Sequence, residues 1–136
     1  MAVKANVLVD TSVWIDFFSG EETAVAGLRN LIDANRITIC GQILQEVLQG
    51  SRDEKAFEKL CGQMQIWNRE SEEPDDFVEA ARIFAQLRWA GVTITPTDCL
   101  IAAVAIRRKL VLFTRDSDFD YIEGLTLYPV SEGPRQ

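Results

Sequence analysis

The sequence predicts an α/β fold, with a central parallel sheet of about four to five strands and helices on both faces. Three observations predict it. Short apolar, often β-branched runs recur along the chain, each too short to be a helix. Stretches with apolar residues at i, i+3 and i+4 lie between them. Strands that alternate with helices in this way form βα units, whose parallel strands are buried on both faces. The 136 residues suit one compact domain. Its expected extent is residues 1–130, with residues 131–136 a frayed tail.

Asn6 to Val9 is the first apolar run, with Asp10 at its C-terminal end. Thr11 and Ser12 follow as candidate N-caps for a helix over Val13 to Phe18, which Gly20 breaks. Glu22 to Ala34 keeps helical spacing through Val25, Leu28, Leu31 and Ile32, and Ile37 to Cys40 is a second strand. Gly41 opens a helix through Leu48, ended by Gly50, and another helix is expected from Asp53 to about Gln63. Ile66-Trp67 is the apolar pair from which a brief strand is expected. Pro74 suits the first helical position, with Asp75 and Asp76 in the first turn. That helix runs to about Ala90, and Gly91 is its expected terminating glycine. Thr95-Pro96-Thr97 caps a helix beginning near Asp98. Leu110 to Thr114 is a strand, Asp118 to Tyr121 a turn or short helix, and Leu125 to Tyr128 a last strand.

Composition excludes several classes of function. There is no histidine, so no His-dependent triad and no His-based zinc site can form. Any metal would be bound by oxygen, which points to Mg²⁺, with Mn²⁺ as a substitute. Three cysteines at unrelated spacings, Cys40, Cys61 and Cys99, suit reduced buried thiols. The longest apolar run, Cys99 to Ile106, is far shorter than the roughly 20 residues that cross a bilayer. The N-terminus leads straight into a strand without a signal-peptide pattern, so no membrane association and a cytoplasmic location are expected. A formal charge of −7 gives no basic footprint at whole-chain level. Bases do cluster, as Arg52, Lys55 and Lys59, and again as Arg107, Arg108 and Lys109.

The acids carry the chemical signal. In open α/β sheets ligands bind beyond the carboxyl ends of strands, and Asp10 and Asp116 each sit just past such an end. Asp98 is the only acid between Gly91 and Arg115 and heads an almost wholly apolar helix. A carboxylate there is costly unless something pairs with it. Glu46 lies off the apolar side of its own helix. Each also has a structural reading: Asp10 as a helix cap, Glu46 as a solvated face, Asp98 as a partner of the helix dipole, and Asp116, Asp118 and Asp120 as a polar turn.

Taken together, four segments resemble the PIN-domain ribonucleases. They are VLVDTSVWIDFF, ILQEVLQG, TPTDCLIAAVA and LFTRDSDF, in family order from Val7 to about Leu127. The resemblance is closest to the VapC toxins of bacterial type II toxin–antitoxin systems. It implies a PIN-like α/β/α sandwich, Mg²⁺-dependent endoribonuclease activity, a homodimer and inhibition by a small cognate antitoxin. Carried over by position, the family's acids fall on Asp10, Glu46, Asp98 and Asp116, with Asp118 an extra or alternative member. Thr11, Ser12 and Thr114 fall where small hydroxyl residues support the acids.

The residue chemistry suits this. Without histidine, phosphodiester hydrolysis can rely on carboxylates holding one or two hard cations. Asp10 and Asp98 are expected as primary ligands, with Glu46 and Asp116 binding directly or through water. Arg52, Lys55 and Arg115 are candidates for RNA phosphate contact, although solvated surface charge also accounts for each. Trp14, Trp67 and Trp89 suit core or interface positions better than base stacking. Three other readings compete. A phosphoacceptor receiver domain would carry an acidic pair after the first strand and a lysine after the last, and neither is here. A catalytically silent PIN-like binding scaffold would not require all four acids. A nuclease acting on DNA would use the same phosphate chemistry.

Overall fold

The computed structural model describes residues 5–129. The expected tail at 131–136 and the extreme N-terminus lie outside the described residues. The elements run β1 (Val7–Val9), α1 (Thr11–Phe18), α2 (Glu22–Asp33), β2 (Ile37–Cys40), α3 (Gly41–Gln49), α4 (Glu54–Met64), β3 (Asn68–Glu70), α5 (Pro74–Trp89), α6 (Pro96–Arg107), β4 (Val111–Phe113) and a 3₁₀ turn, Ser117–Tyr121. The strands form one parallel sheet in the order β3-β2-β1-β4, flanked by helices.

This order positions the site. The chain leaves β1 for β2 on one side and returns much later to place β4 on the other. The carboxyl ends of β1 and β4 therefore flank a topological switch point, where connections diverge and leave a crevice. Register sets Val9 opposite Phe113, so the next residues, Asp10 and Thr114, emerge side by side.

Burial explains the strands. Val7, Leu8, Val9, Ile39 and Leu112 are fully buried, as expected for strands covered on both faces. Helix α6 is enclosed through Cys99–Ala105, where the small side chains of Ala102, Ala103 and Ala105 let its neighbours approach. Close approach also decides Gly27 in α2, because a Cβ there would lie 2.9 Å from the Phe113 ring. Gly91 ends α5 at φ +87°, a conformation that favours glycine. All three cysteines are free; burial pushes the Cys40 thiol up to about 12 and the Cys99 thiol to about 11, so neither is an activated nucleophile.

Four expected elements shift. Helix α1 begins at Thr11, not after Ser12, because Asp10 takes the cap position and frees both hydroxyls for other work. Helix α6 begins at Pro96, where the ring's missing N–H costs nothing, with Thr95 as its cap. The brief strand is not Ile66-Trp67 but the polar segment Asn68–Glu70, an edge strand held by backbone pairing to β2. The last strand, expected over 125–128, shrinks to a single parallel bridge between Leu112 and Leu127.

Two charged devices tie the helices down. Asp76 has a fully buried side chain that accepts from Arg107 at 2.7 Å and from Arg108 at 2.8 Å, joining the start of α5 to the end of α6. The guanidinium pair holds its carboxyl well below the usual range, although burial alone would raise it. Glu72 reaches across from the β3–α5 loop to cap α3, accepting from the N–H groups of Gly41 (2.9 Å) and Gln42 (2.7 Å). The local cap residue, Cys40, makes no side-chain cap bond. Glu72→Ala should therefore lower unfolding stability by about 1 kcal/mol, read by urea denaturation, with no change in the native circular dichroism.

Candidate metal centre

Asp10 is delivered by β1 and is nearly buried, 5% exposed. Its backbone sits at the cap of α1, but its side chain makes no cap bond. Instead Oδ2 accepts from Thr114 Oγ1 at 2.8 Å and from Ser12 Oγ at 3.0 Å. The cap reading of Asp10 therefore holds for its backbone only. Burial raises its pKa, partly offset by the two hydroxyls. Thr114 also accepts from the Asp116 N–H at 3.0 Å, so one threonine links the carboxyl ends of β1 and β4.

Asp98 stands in the first turn of α6, its N–H donating to Thr95 Oγ1. Asp116 caps the 3₁₀ turn by accepting from the Asp118 N–H at 2.9 Å. Carboxylate oxygens of Asp98, Asp116 and Asp118 all come within 4.8 Å of one another. The geometry thus brings both Asp116 and Asp118 to Asp98 rather than choosing between them. Asp10 and Glu46 lie outside that triplet but within its field. Glu46, on α3, is half-buried and accepts from Thr11 Oγ1 at 3.3 Å.

The electrostatics follow from this crowding. Burial pushes Asp98 up to about 6, with the charges of Asp10, Asp116 and Glu46 adding to the rise. Burial and Asp10 likewise raise Glu46. Such a set is unfavourable when fully ionised and is relieved by a cation. Three convergent oxygen donors, with no nitrogen ligand available, suit a hard divalent ion.

Unfolded Asp98 titrates near its ordinary 3.8, folded Asp98 near 6. Between those values the folded state holds the extra proton, so the metal-free protein should lose stability through this group as pH rises. Glu21 and Asp76 act oppositely and lower, because their depressed values cost stability only as pH falls below the ordinary carboxylate range. Thermal melts in EDTA should show a decline from about pH 4 to 6 that is shallower in Asp98→Asn and is offset in the wild type by Mg²⁺.

The candidate RNA contacts divide. Arg52 is 89% exposed, and with Lys55 and Lys59 it lines a cleft of about 860 Å³ that also contains Glu46, Ile15 and Phe18. Arg115 is mostly covered and already paired with Glu21 and Asp16. Trp14 is buried and donates to the Val9 carbonyl, Trp67 packs against it, and Trp89 is 74% exposed. Sequence reasoning missed Glu21 and Asp16 as partners of Arg115, and nothing in a single sequence pairs residues so far apart.

Residues 7–125 match the PIN domain. The chain belongs to the PIN-domain family. It is 36% identical over 127 residues to ribonuclease VapC11 of Mycobacterium tuberculosis, an alignment covering 88% of this chain and 93% of that protein. Among solved structures, VapBC2 from Rickettsia felis bound to a DNA fragment from their promoter superposes with a TM-score of 0.78. It is 21% identical, and the match covers 90% of this chain and 96% of the other. A toxin-antitoxin complex from Klebsiella pneumoniae gives a TM-score of 0.73 at 23% identity, covering 89% and 96%. At those identities the structures show the shared PIN-like α/β fold, and it is the sequence match that carries the likeness to a ribonuclease.

Proposed function

We propose that this PIN-domain protein is a Mg²⁺-dependent endoribonuclease acting as the toxin of a toxin–antitoxin pair. The observation that carries the reading is the convergence of Asp98, Asp116 and Asp118 beside buried Asp10, at the switch point of the sheet. Asp98, Asp116 and Asp118 would hold the ion, with Asp10 completing the set directly or through water. A divalent ion held there would supply positive charge beside the scissile phosphate and make a water more acidic. Thr114 and Ser12 fix the Asp10 carboxylate, and Thr11 steadies Glu46 at the cleft side. Glu46, held by Thr11 and raised in pKa by burial, would orient the attacking water and take its proton.

Arg52 and Lys55 would meet RNA phosphates along the cleft, while exposed Ile15 and Phe18 offer apolar surface to bases or to the antitoxin. An acidic chain suits a basic antitoxin segment. A homodimer belongs to the same reading, with exposed Phe77, Val78 and Trp89 on α5 as apolar surface. So does a cytoplasmic location. No helix among the described residues is long and apolar enough to cross a membrane.

The test is cleavage of transfer RNA, synthetic RNA and matched DNA by the purified protein, with Mg²⁺ or with EDTA. RNA cut only with Mg²⁺ supports the proposal. Cleavage of the DNA instead, or cleavage unaffected by EDTA, contradicts it.

A further inference from the structure

Three bonds shape the turn after β4, and the buried Phe119 seats it against the core. Thr114 holds Asp10 and the Asp116 N–H, and Asp116 holds the Asp118 N–H. Beside the Thr114–Asp10 bond, Arg115 is a second long-range anchor. Its Nη1 lies 2.7 Å from Glu21 Oε2 and 2.7 Å from Thr23 Oγ1, and its Nε lies 3.2 Å from Asp16 Oδ2. Its backbone N–H donates to Ser12 Oγ at 3.2 Å. One residue thus ties the acid-bearing turn to α1 and to the head of α2.

The partners are themselves fixed. Glu21 caps α2 by accepting from the N–H groups of Thr23 (3.1 Å) and Ala24 (2.9 Å). The Thr23 hydroxyl and these two N–H groups hold its carboxyl down to about 2. The Arg115 side chain is 17% exposed, against 89% for Arg52 in the cleft, so its guanidinium is spent inside the molecule. Planar guanidinium groups suit such a multi-point junction, which an ammonium satisfies only in part.

We propose that Arg115, held by Glu21 and Asp16, is a positioning residue that sets Asp116 and Asp118 against Asp98 and thereby the affinity of the site for a divalent ion. This rests on the metal-dependent reading above. Acids that repel one another drift apart unless the backbone carrying them is anchored, and groups supporting metal ligands typically govern affinity by 10–100-fold. The sign of the effect separates positioning from charge. Removing a nearby positive charge would by itself favour a cation, whereas loss of the anchor weakens its binding.

The test is Mn²⁺ titration of the full chain by electron paramagnetic resonance, with circular dichroism and melting controls. RNA kinetics at saturating Mn²⁺ run in parallel. Arg115→Ala should raise the Mn²⁺ Kd about 10-fold, Arg115→Lys by less, and the RNA KM should stay near that of the wild type. If Arg115→Ala is poorly folded, Arg115→Lys and Thr23→Val, which keep the net charge, should still weaken Mn²⁺ binding. Adding Glu21→Gln to Arg115→Ala should cost little more than the first change. Unchanged or tighter Mn²⁺ binding in folded Arg115 variants overturns the proposal; a raised RNA KM with a shallower salt dependence would then assign Arg115 to phosphate contact. A wild type that binds no Mn²⁺ overturns the metal reading and this proposal together, an outcome distinct from failure of the anchor alone.

Discussion

Asp98→Asn should leave a folded protein that cuts RNA more slowly by a factor on the order of 10³, about 4 kcal/mol of barrier. The reason is local. Asp98 is one of three acids whose oxygens converge, and besides its burial it feels the charges of Asp10, Asp116 and Glu46. Asparagine keeps the shape and the bond from the backbone N–H to Thr95, so α6 should remain capped. What is lost is the charge that binds a cation. The substitution should also raise the melting temperature of the metal-free protein by a few degrees, because a repelled carboxylate is gone. Single-turnover cleavage with paired melts, with and without Mg²⁺, checks both. A variant that is inactive but melts like the Mg²⁺-loaded wild type, and gains further from Mg²⁺, would remove Asp98 from the metal centre.

The largest stability effect is expected far from the chemistry. Asp76→Ala should destabilise the protein by about 3 kcal/mol, roughly 10 °C in Tm, because it strips a fully buried carboxylate from two guanidinium groups. Arg108 keeps Glu70 at 3.2 Å and Glu73 at 3.1 Å, which holds the loss near the lower end for broken buried pairs. Among the described residues Arg107 retains only the exposed Asp75 at 3.8 Å. Urea denaturation reads the change. Metal affinity of the folded fraction should be unaffected, since none of the acids of the centre touches this pair.

The contrast between these residues shows what a single sequence reveals. Asp10 and Asp116 were legible because strand ends are where parallel sheets bind ligands, and the Val9–Phe113 register does bring those ends together. Asp98 was legible by isolation, a lone acid in an apolar stretch. The helices over 22–34, 74–90 and near 98–107 were legible from periodicity and punctuation, since burial, caps and Gly91 act locally. Strand β3 was not, because an edge strand of Asn68, Arg69 and Glu70 is held by backbone pairing and carries no apolar signature. Likewise the side-chain partners of Arg107, Arg108 and Arg115 lie 31 to 99 residues away along the chain. Composition shows such charges as surface clusters, and only the fold shows which are committed. Glu72 belongs here too: nothing near it in the sequence marks it as a cap, yet it caps the helix that carries Glu46.

Whether these carboxylates form one metal centre can be seen in a manganese anomalous difference map from crystals soaked in Mn²⁺. A peak is expected about 2.1 Å from oxygens of Asp98 and at least one of Asp116 and Asp118, bordered by Asp10. A fully soaked crystal with no peak there, or with its peak beside Glu70, Glu72 and Glu73 instead, would rule out a metal centre at these acids.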